Sequence, residues 1–316
     1  MKISVYITSY NQRDFLREAI DSVLAQTLPA HEIIIVDDAS SDASPALIRG
    51  YAARHPARVR PIFHPQNLGV ASARNHALEV VTGDHVTYVD GDDRMLPTKL
   101  EREAEALRRH PEAQIAFSNY YNMTVDGQRR GCWIIGERPP EGDIFTRTFA
   151  RDFPRRDLFR MDLVRMTDLR RVGFYDPSLT AFEDFDLRMR LTKICRACYV
   201  DDPLSERRLH GGGLSSIRVE ARLALLHQIY RKNVSLLADL DPAAQRYVRR
   251  RFFGWMGPFA REAGHKALVD PARSALHRRL AGARYFAFCA RHAPHLLTLS
   301  DLYRLVLSAR AAERWV

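Results

Sequence analysis

The first 110 residues alternate between runs that suit a buried strand and segments with helical spacing, and the strand-like runs end in polar clusters. Lys2–Ser9 and Glu32–Val36 (EIIIV) are rich in β-branched and apolar residues, as strands buried on both faces are. Val59–Phe63 and His85–Val89 read as two further strands. Between them, Arg13–Gln26 carries Phe15, Leu16, Ala19, Ile20, Val23 and Leu24 at helical intervals. Pro45 behind Asp42 and Ser44 suits the first turn of a second helix, and Gly69–Val81 reads as a third. Pro97 opens a fourth that runs through Arg109. Such a rhythm implies a mostly parallel sheet with helices on its faces, an α/β fold. In these sheets ligands bind beyond the carboxyl ends of the strands. The polar clusters Thr8–Asn11, Asp37-Asp38 and Asp90–Asp93 would all lie there.

From 120 to 160 the pattern breaks up around Gly127, Gly131, Gly136, Pro139, Pro140 and Gly142, which predicts strands and mobile loops. Leu163–Val172 and Asp184–Thr192 read as helices, and Ala197–Val200 as a strand. From Ile217 the chain reads as amphipathic helices interrupted at Pro242, Gly257-Pro258, Pro271 and Pro294. Charge changes at the same place. Residues 217–316 hold 18 Lys/Arg against 7 Asp/Glu, which leaves residues 1–216 nearly neutral within a total of +10. The expected division is therefore 1–216, with a nucleotide-binding half (1–120) and an acceptor half (121–216), followed by a basic helical region at 217–316.

Several function classes lose support. No run reaches the ~18 apolar residues of a spanning helix, and no basic-then-apolar leader precedes the first strand. With four cysteines (Cys132, Cys195, Cys198 and Cys289), a disulfide scaffold is not indicated, and a cytoplasmic protein with reduced thiols is expected. Cys195-x-x-Cys198 lacks the further ligands a zinc site needs, so ordinary half-buried thiols are expected. Neither a P-loop nor a Gly-x-Gly-x-x-Gly is present.

Three acidic groups carry the chemistry. Asp90-Gly91-Asp92-Asp93 directly follows the fourth strand, and hard oxygen ligands there suit Mg²⁺ or Mn²⁺ bridging phosphates. A solvated turn capping the next helix is the plainer alternative. Asp37-Asp38 could accept hydrogen bonds from a ribose or base, or form an Asx turn. Glu183-Asp184 stands where a helix begins and would complement its dipole. Asp184 lies between Phe182 and Phe185, and desolvation would raise its pKa and suit a general base. His210 heads a Gly-Gly-Gly-Leu-Ser-Ser stretch that could close over phosphates. An esterase oxyanion hole is the other use of His-Gly-Gly-Gly, but the required Gly-x-Ser-x-Gly is missing.

The order of VYITSYN (Val5–Asn11), IIIVDDASSD (Ile33–Asp42), NLGVASARNHAL (Asn67–Leu78), TYVDGDD (Thr87–Asp93), VGFYDPSL (Val172–Leu179), FEDFDLRMRL (Phe182–Leu191) and HGGGLS (His210–Ser215) resembles inverting glycosyltransferases of family 2. The resemblance covers about residues 1–216. It implies a GT-A fold, a nucleotide-sugar donor, here a UDP-sugar, and a carbohydrate or lipid-linked acceptor. Thr8, Tyr10, Asn11 and Asp38 would bind the donor's uridine end, and Arg74 would sit near the base or diphosphate. Asp90 would touch ribose and metal, while Asp92 and His210 would ligate Mn²⁺ or Mg²⁺. Asp184 would be the catalytic base.

Three rival classes stay open, of which a catalytically dead binding module is the least expected because every motif carboxylate is intact. A nucleotidyltransferase would share the carboxylates and the metal, but it wants a basic, Gly-rich first loop, and Ile7–Asn11 is neither. The basic tail and a pI near 9.7 allow a nucleic-acid-binding reading, although no nucleic-acid partner is expected of a glycosyltransferase. For the tail itself the expectation is peripheral docking on an anionic membrane through Tyr247–Met256 and through Arg278, Arg279, Arg284 and the aromatic residues that follow, against a plainer reading as packing helices.

Overall fold

The computed structural model describes residues 1–210 and 218–298, apart from 271 and 273, together with Asp301. The described chain forms two compact units: residues 1–148 with 153–213, and residues 149–152 with 214–316.

In the first unit β1 (Ile3–Ser9) is buried at every position, which is why it reads as a continuous apolar run. After it come α1 (Arg13–Leu24), β2 (Glu32–Asp37), α2 (Ser44–Arg54), β3 (Val59–Phe63), α3 (Val70–Val80) and β4 (His85–Asp90). Helix α1 buries Leu16, Ala19, Ile20 and Val23, one stripe of a 3.6-residue repeat. Leu16, Ile20 and Val23 each contribute about 1.5–3 kcal/mol by leaving water. The four strands pair in parallel in the order β3-β2-β1-β4.

Beyond β4 the sheet becomes mixed. After the two-residue β5 (Arg94–Met95) and α4 (Lys99–Arg109) come β6 (Ile115–Met123), β7 (Arg129–Cys132), the short α5 (Phe145–Phe149), β8 (Leu163–Arg165), α6 (Met166–Val172), α7 (Glu183–Thr192) and β9 (Ala197–Arg208). The sheet continues β4-β8-β6-β9-β5, with β8 antiparallel to β4 and β6, and β6 parallel to β9. This is a mixed α/β sheet flanked by helices, with parallel pairing across β3-β2-β1-β4 and between β6 and β9. Leu163–Arg165 was expected to begin a helix. It is instead the strand that joins the two halves of the sheet, and only Met166–Val172 is helical. Three residues are too few to show a period of two. Strand β9 is also longer than expected, reaching Arg208, and its register against β6 shifts near Ser118–Tyr120.

The second unit contains α8 (Val219–Asn233), α9 (Pro242–Val269) and α10 (Ala275–His292). Helix α9 starts as the sequence suggests: Asp241 accepts from the Ala243 and Ala244 N–H groups, and Pro242 sits in the first turn. It does not stop at Gly257-Pro258, which lies inside its 28 residues. The lost backbone bond is offset by close packing of small residues. A Cβ on Gly257 would come within 2.5 Å of Ala293, and one on Gly264 within 2.8 Å of Phe286. In the Tyr247–Met256 stretch Arg249 and Arg250 are exposed, but Arg251 pairs with Asp152, and Phe252 is buried against Tyr230 and Phe149. Packing therefore claims part of the stretch expected to face a membrane. Among the described residues no helix is long and apolar enough to cross one.

All four cysteines are free, and Cys195 and Cys198 are buried. Burial pushes both thiols up to about 12, so they are inert packing groups.

Candidate functional site

Parallel register brings the polar clusters together. Thr8 on β1 lies opposite Asp90 on β4, and Ser9 lies opposite Asp37 on β2. The Asp38 N–H bonds the Ser9 carbonyl at 2.9 Å, and the Gly91 N–H bonds the Thr8 carbonyl at 3.1 Å. A Cβ at Gly91 would approach the Gln12 amide to 2.5 Å and the Thr8 carbonyl to 3.0 Å, so the acidic turn needs glycine there. Asn11 adopts a left-handed φ of 52°, which asparagine tolerates, and its amide oxygen accepts from the Ser41 N–H. Tyr10 beside it is half exposed.

Asp38 is placed differently from a simple donor contact. Its carboxylate is 4% exposed and already serves three partners: His64 at 2.7 Å and the N–H groups of Leu68 and Gly69, each at 2.8 Å. Asp38 therefore first of all orders the loop that leads into α3.

Arg74 ties the acidic turn to α7. Its guanidinium is almost fully buried and donates to Asp90 Oδ1 and to Glu183 Oε1, both at 2.8 Å. The rings of Tyr88 and Tyr175 lie 5.0 and 5.3 Å from the same group. The neighbour of Glu183 is thereby held near the end of β4. Asp184 Oδ2 accepts from Arg188 at 2.8 Å, and Arg188 also binds Asp162 and the Tyr88 hydroxyl. Of the adjacent pair, Glu183 is the more deeply buried and Asp184 is partly buried. Burial pushes Glu183 above its ordinary range, with Arg74 opposing and Asp184 adding to the shift. Asp184 is 31% exposed, and Arg188 is its ion-pair partner.

Asp92 and His210 meet: Nε2 lies 2.6 Å from Oδ2, and the imidazole stacks over Phe15. The glycines that follow His210 lie outside the described residues. Asp93, with no part in the expected chemistry, holds this arrangement in place. It is buried and accepts from the Arg208 N–H at 2.7 Å, two residues before His210. Burial, with Asp92 and Asp90 adding, keeps its carboxyl well above the usual range. The buried Arg208 side chain in turn donates to the Asp92 carbonyl and to Glu18. Arg208 and Arg188 escaped the sequence reading although both lie in or beside quoted motifs. Nothing in a linear pattern says which arginine of several turns inward.

The residues fit a divalent ion of the Mg²⁺ or Mn²⁺ kind. Such ions use one or two carboxylates and complete their shell with phosphate oxygens and water. Asp92 and His210 converge as required, whereas no group of three or more His, Cys, Asp or Glu among the described residues forms a complete cage. Asp90 Oδ1 accepts from Arg74.

A family model described as glycosyl transferase family 2 matches residues 4–166. TuaG of Bacillus subtilis, described as a putative teichuronic acid biosynthesis glycosyltransferase, is 37% identical over 125 residues, covering 40% of this chain and 49% of TuaG. The chain spans about half or less of the length of the curated relatives it matches, down to 28% for one from Escherichia coli. Among solved structures, residues 1–349 of TarS from S. aureus in complex with UDP-GlcNAc superpose with a TM-score of 0.71 at 21% identity, covering 91% of this chain and 81% of that one. The mannosyltransferase PcManGT from Pyrobaculum calidifontis, in complex with GDP-Man and Mn²⁺, gives 0.59 at 19% identity, covering 99% and 87%. At these identities the likeness is one of fold.

Proposed function

The chain belongs to glycosyl transferase family 2, and from that premise we propose that residues 1–216 form an inverting glycosyltransferase domain that moves a sugar from a UDP-sugar donor to an acceptor hydroxyl in polysaccharide synthesis. The observation that carries the reading is the buried Asp90–Arg74–Glu183 bridge. It fixes Asp184 beside the strand end where the acidic turn and His210 meet.

In this reading Thr8, Tyr10 and Asn11 bind the nucleoside, with Asp38 holding the loop behind them. Asp90, held by Arg74, faces the ribose side. Asp92 and His210 hold Mn²⁺ or Mg²⁺, whose bound charge stabilises the departing diphosphate. Asp184 takes the proton of the acceptor hydroxyl as the new C1–O bond forms and the bond from C1 to the diphosphate breaks on the opposite face. One displacement of this kind inverts the anomeric centre. The relatives support the substrate class in part: TuaG is described with teichuronic acid synthesis, and the TarS and PcManGT structures hold UDP-GlcNAc and GDP-Man.

The test is a thermal-shift screen of UDP-, GDP- and dTDP-sugars with and without Mn²⁺. A donor at about 100 times its Kd stabilises the native state by about 2.7 kcal/mol. UDP-sugars should stand out, and only with the metal. A chain that no nucleotide sugar stabilises is not working as this enzyme.

A further inference from the structure

Arg160 has no hydrogen-bonded or ion-paired partner among the described residues, and its Nε is buried without an acceptor. It is half-buried, just ahead of β8, the strand paired antiparallel with β4. That pairing sends residue 160 toward the strand end that carries Asp90. The charges of Asp157 and Asp184 and the rings of Tyr120 and Tyr88 lie within electrostatic reach, and Asp93 feels its charge as well.

Each nearby carboxylate is already committed. Asp184 is bound by Arg188 at 2.8 Å. Asp157 accepts from the Tyr120 hydroxyl at 3.2 Å and from Arg207 at 3.4 Å. Asp93 accepts from the Arg208 backbone. A guanidinium presents five N–H donors in a rigid fork, and leaving them partly desolvated and unpaired is unfavourable. The position is nonetheless firmly held. Met161 has φ 51°, a strained value for a residue with a long side chain, and its carbonyl is clamped by Thr87 Oγ1 at 2.9 Å and Lys99 Nζ at 2.6 Å. Lys99 is itself paired with Glu103 at full burial. A cation borne on a backbone held this tightly and left without a partner among the described residues is a preformed site for an oxyanion.

We propose that Arg160 anchors an anion-binding subsite on the acceptor side of Asp184, and that the acceptor carries a phosphate or carboxylate near the hydroxyl that is glycosylated. This rests on the glycosyltransferase reading above and adds the acceptor's charge to it. Arg160 belongs to the acceptor rather than the donor because its surroundings, Asp157 and Tyr120 on β6, come from the half of the sheet beyond β4. The clusters expected to bind the nucleoside end β1 and β2 on the other side.

The test saturates the full chain with UDP and Mg²⁺, so that the diphosphate position is filled, and titrates inorganic phosphate at constant ionic strength. Calorimetry on the wild type should show one saturable phosphate site. Arg160→Gln should weaken it at least tenfold with UDP affinity unchanged, and Arg160→Lys should restore part of it. Equal melting temperatures would show that the variants are folded. Phosphate binding that ignores Arg160→Gln, or its absence from the UDP-loaded wild type, overturns the subsite. Loss of UDP affinity in Arg160→Gln assigns the arginine to the donor and overturns it too. A wild type that binds no nucleoside diphosphate overturns the underlying reading instead.

Discussion

On the β3-to-β1 side of the sheet, several carboxylates near the strands are held mainly by backbone N–H groups and hydroxyls; from the end of β4 onward several are held by arginines, although Asp92 meets His210 and Asp93 takes a backbone N–H. Asp38 takes the Leu68 and Gly69 N–H groups, Asp37 that of Ser40, and Asp42 those of Arg13 and Ser44. Across the sheet, Asp90 and Glu183 share Arg74, Asp162 and Asp184 share Arg188, and Glu206 is held by Arg94 and Arg129. The two solutions differ in what they do to protonation. Burial pushes Glu32 and Asp42 up, but hydrogen bonds from Ser4 and Thr82, and from Ser44 and Arg13, outweigh it and leave both below their ordinary ranges. Burial wins at Glu183 and at Glu103, whose carboxyls rise despite their cationic partners. An arginine pair thus binds two segments together without returning all the solvation that burial removes.

If the arginine-held side does the chemistry, the largest effect should come from Asp184→Asn. The change is nearly isosteric and keeps an acceptor for Arg188. Turnover should fall about 10²–10⁴-fold, the usual size of a general-base contribution, while metal-dependent UDP affinity is retained. Steady-state kinetics beside calorimetry separates the two. Parallel losses of turnover and UDP affinity would make Asp184 another structural carboxylate, like those of the first side, and would erase the contrast.

The same division explains what could be read from the sequence. Strands β1, β2 and β4 and the clusters that end them were legible because each is a contiguous run, and parallel pairing brings contiguous runs to a common edge. Asp92 and His210 were legible as separate chemical types, and the structure brings them to 2.6 Å. The arginine-held side hides its logic in distance. Arg74 meets Glu183 across 109 residues, and Arg208 meets Glu18 across 190. Neither Lys99–Glu103, fully buried on a helix that reads as a charged surface, nor the three-residue β8 leaves a pattern that periodicity can detect. Pro258 inside α9 escaped because a proline reads as a break unless the packing that offsets it is known.

Arg74→Met should give the next largest effect, and it tests whether one arginine holds the two sides together. Methionine keeps much of the volume but leaves Asp90 and Glu183 facing each other without a cation. Breaking a buried pair in this way costs roughly 3–5 kcal/mol, read as a shift in the denaturation midpoint at unchanged slope. A loss under about 1 kcal/mol, the size expected for an exposed pair, would mean that solvent at the 24%-exposed Asp90 already screens the bridge.

Glu183→Gln should give the smallest effect and isolates protonation from geometry. The amide oxygen can still accept from Arg74, so the hydrogen bond survives while the charge is lost. The wild-type carboxyl is raised in the folded state, chiefly by burial. The native chain therefore holds this proton more tightly than the unfolded chain does, and linkage fixes the sign. Its contribution to stability is fully present below the unfolded value near ~4.3 and is lost as pH rises through the raised folded value. The neutral variant has no such loss, so its melting temperature should gain on the wild type as pH rises from the unfolded value through the raised folded one. A gap that stays flat, or that closes as pH rises, would show that pairing with Arg74 dominates over burial. Glu183 would then behave as Glu32 and Asp42 do, and the difference between the two sides would lie only in which donor holds the carboxylate.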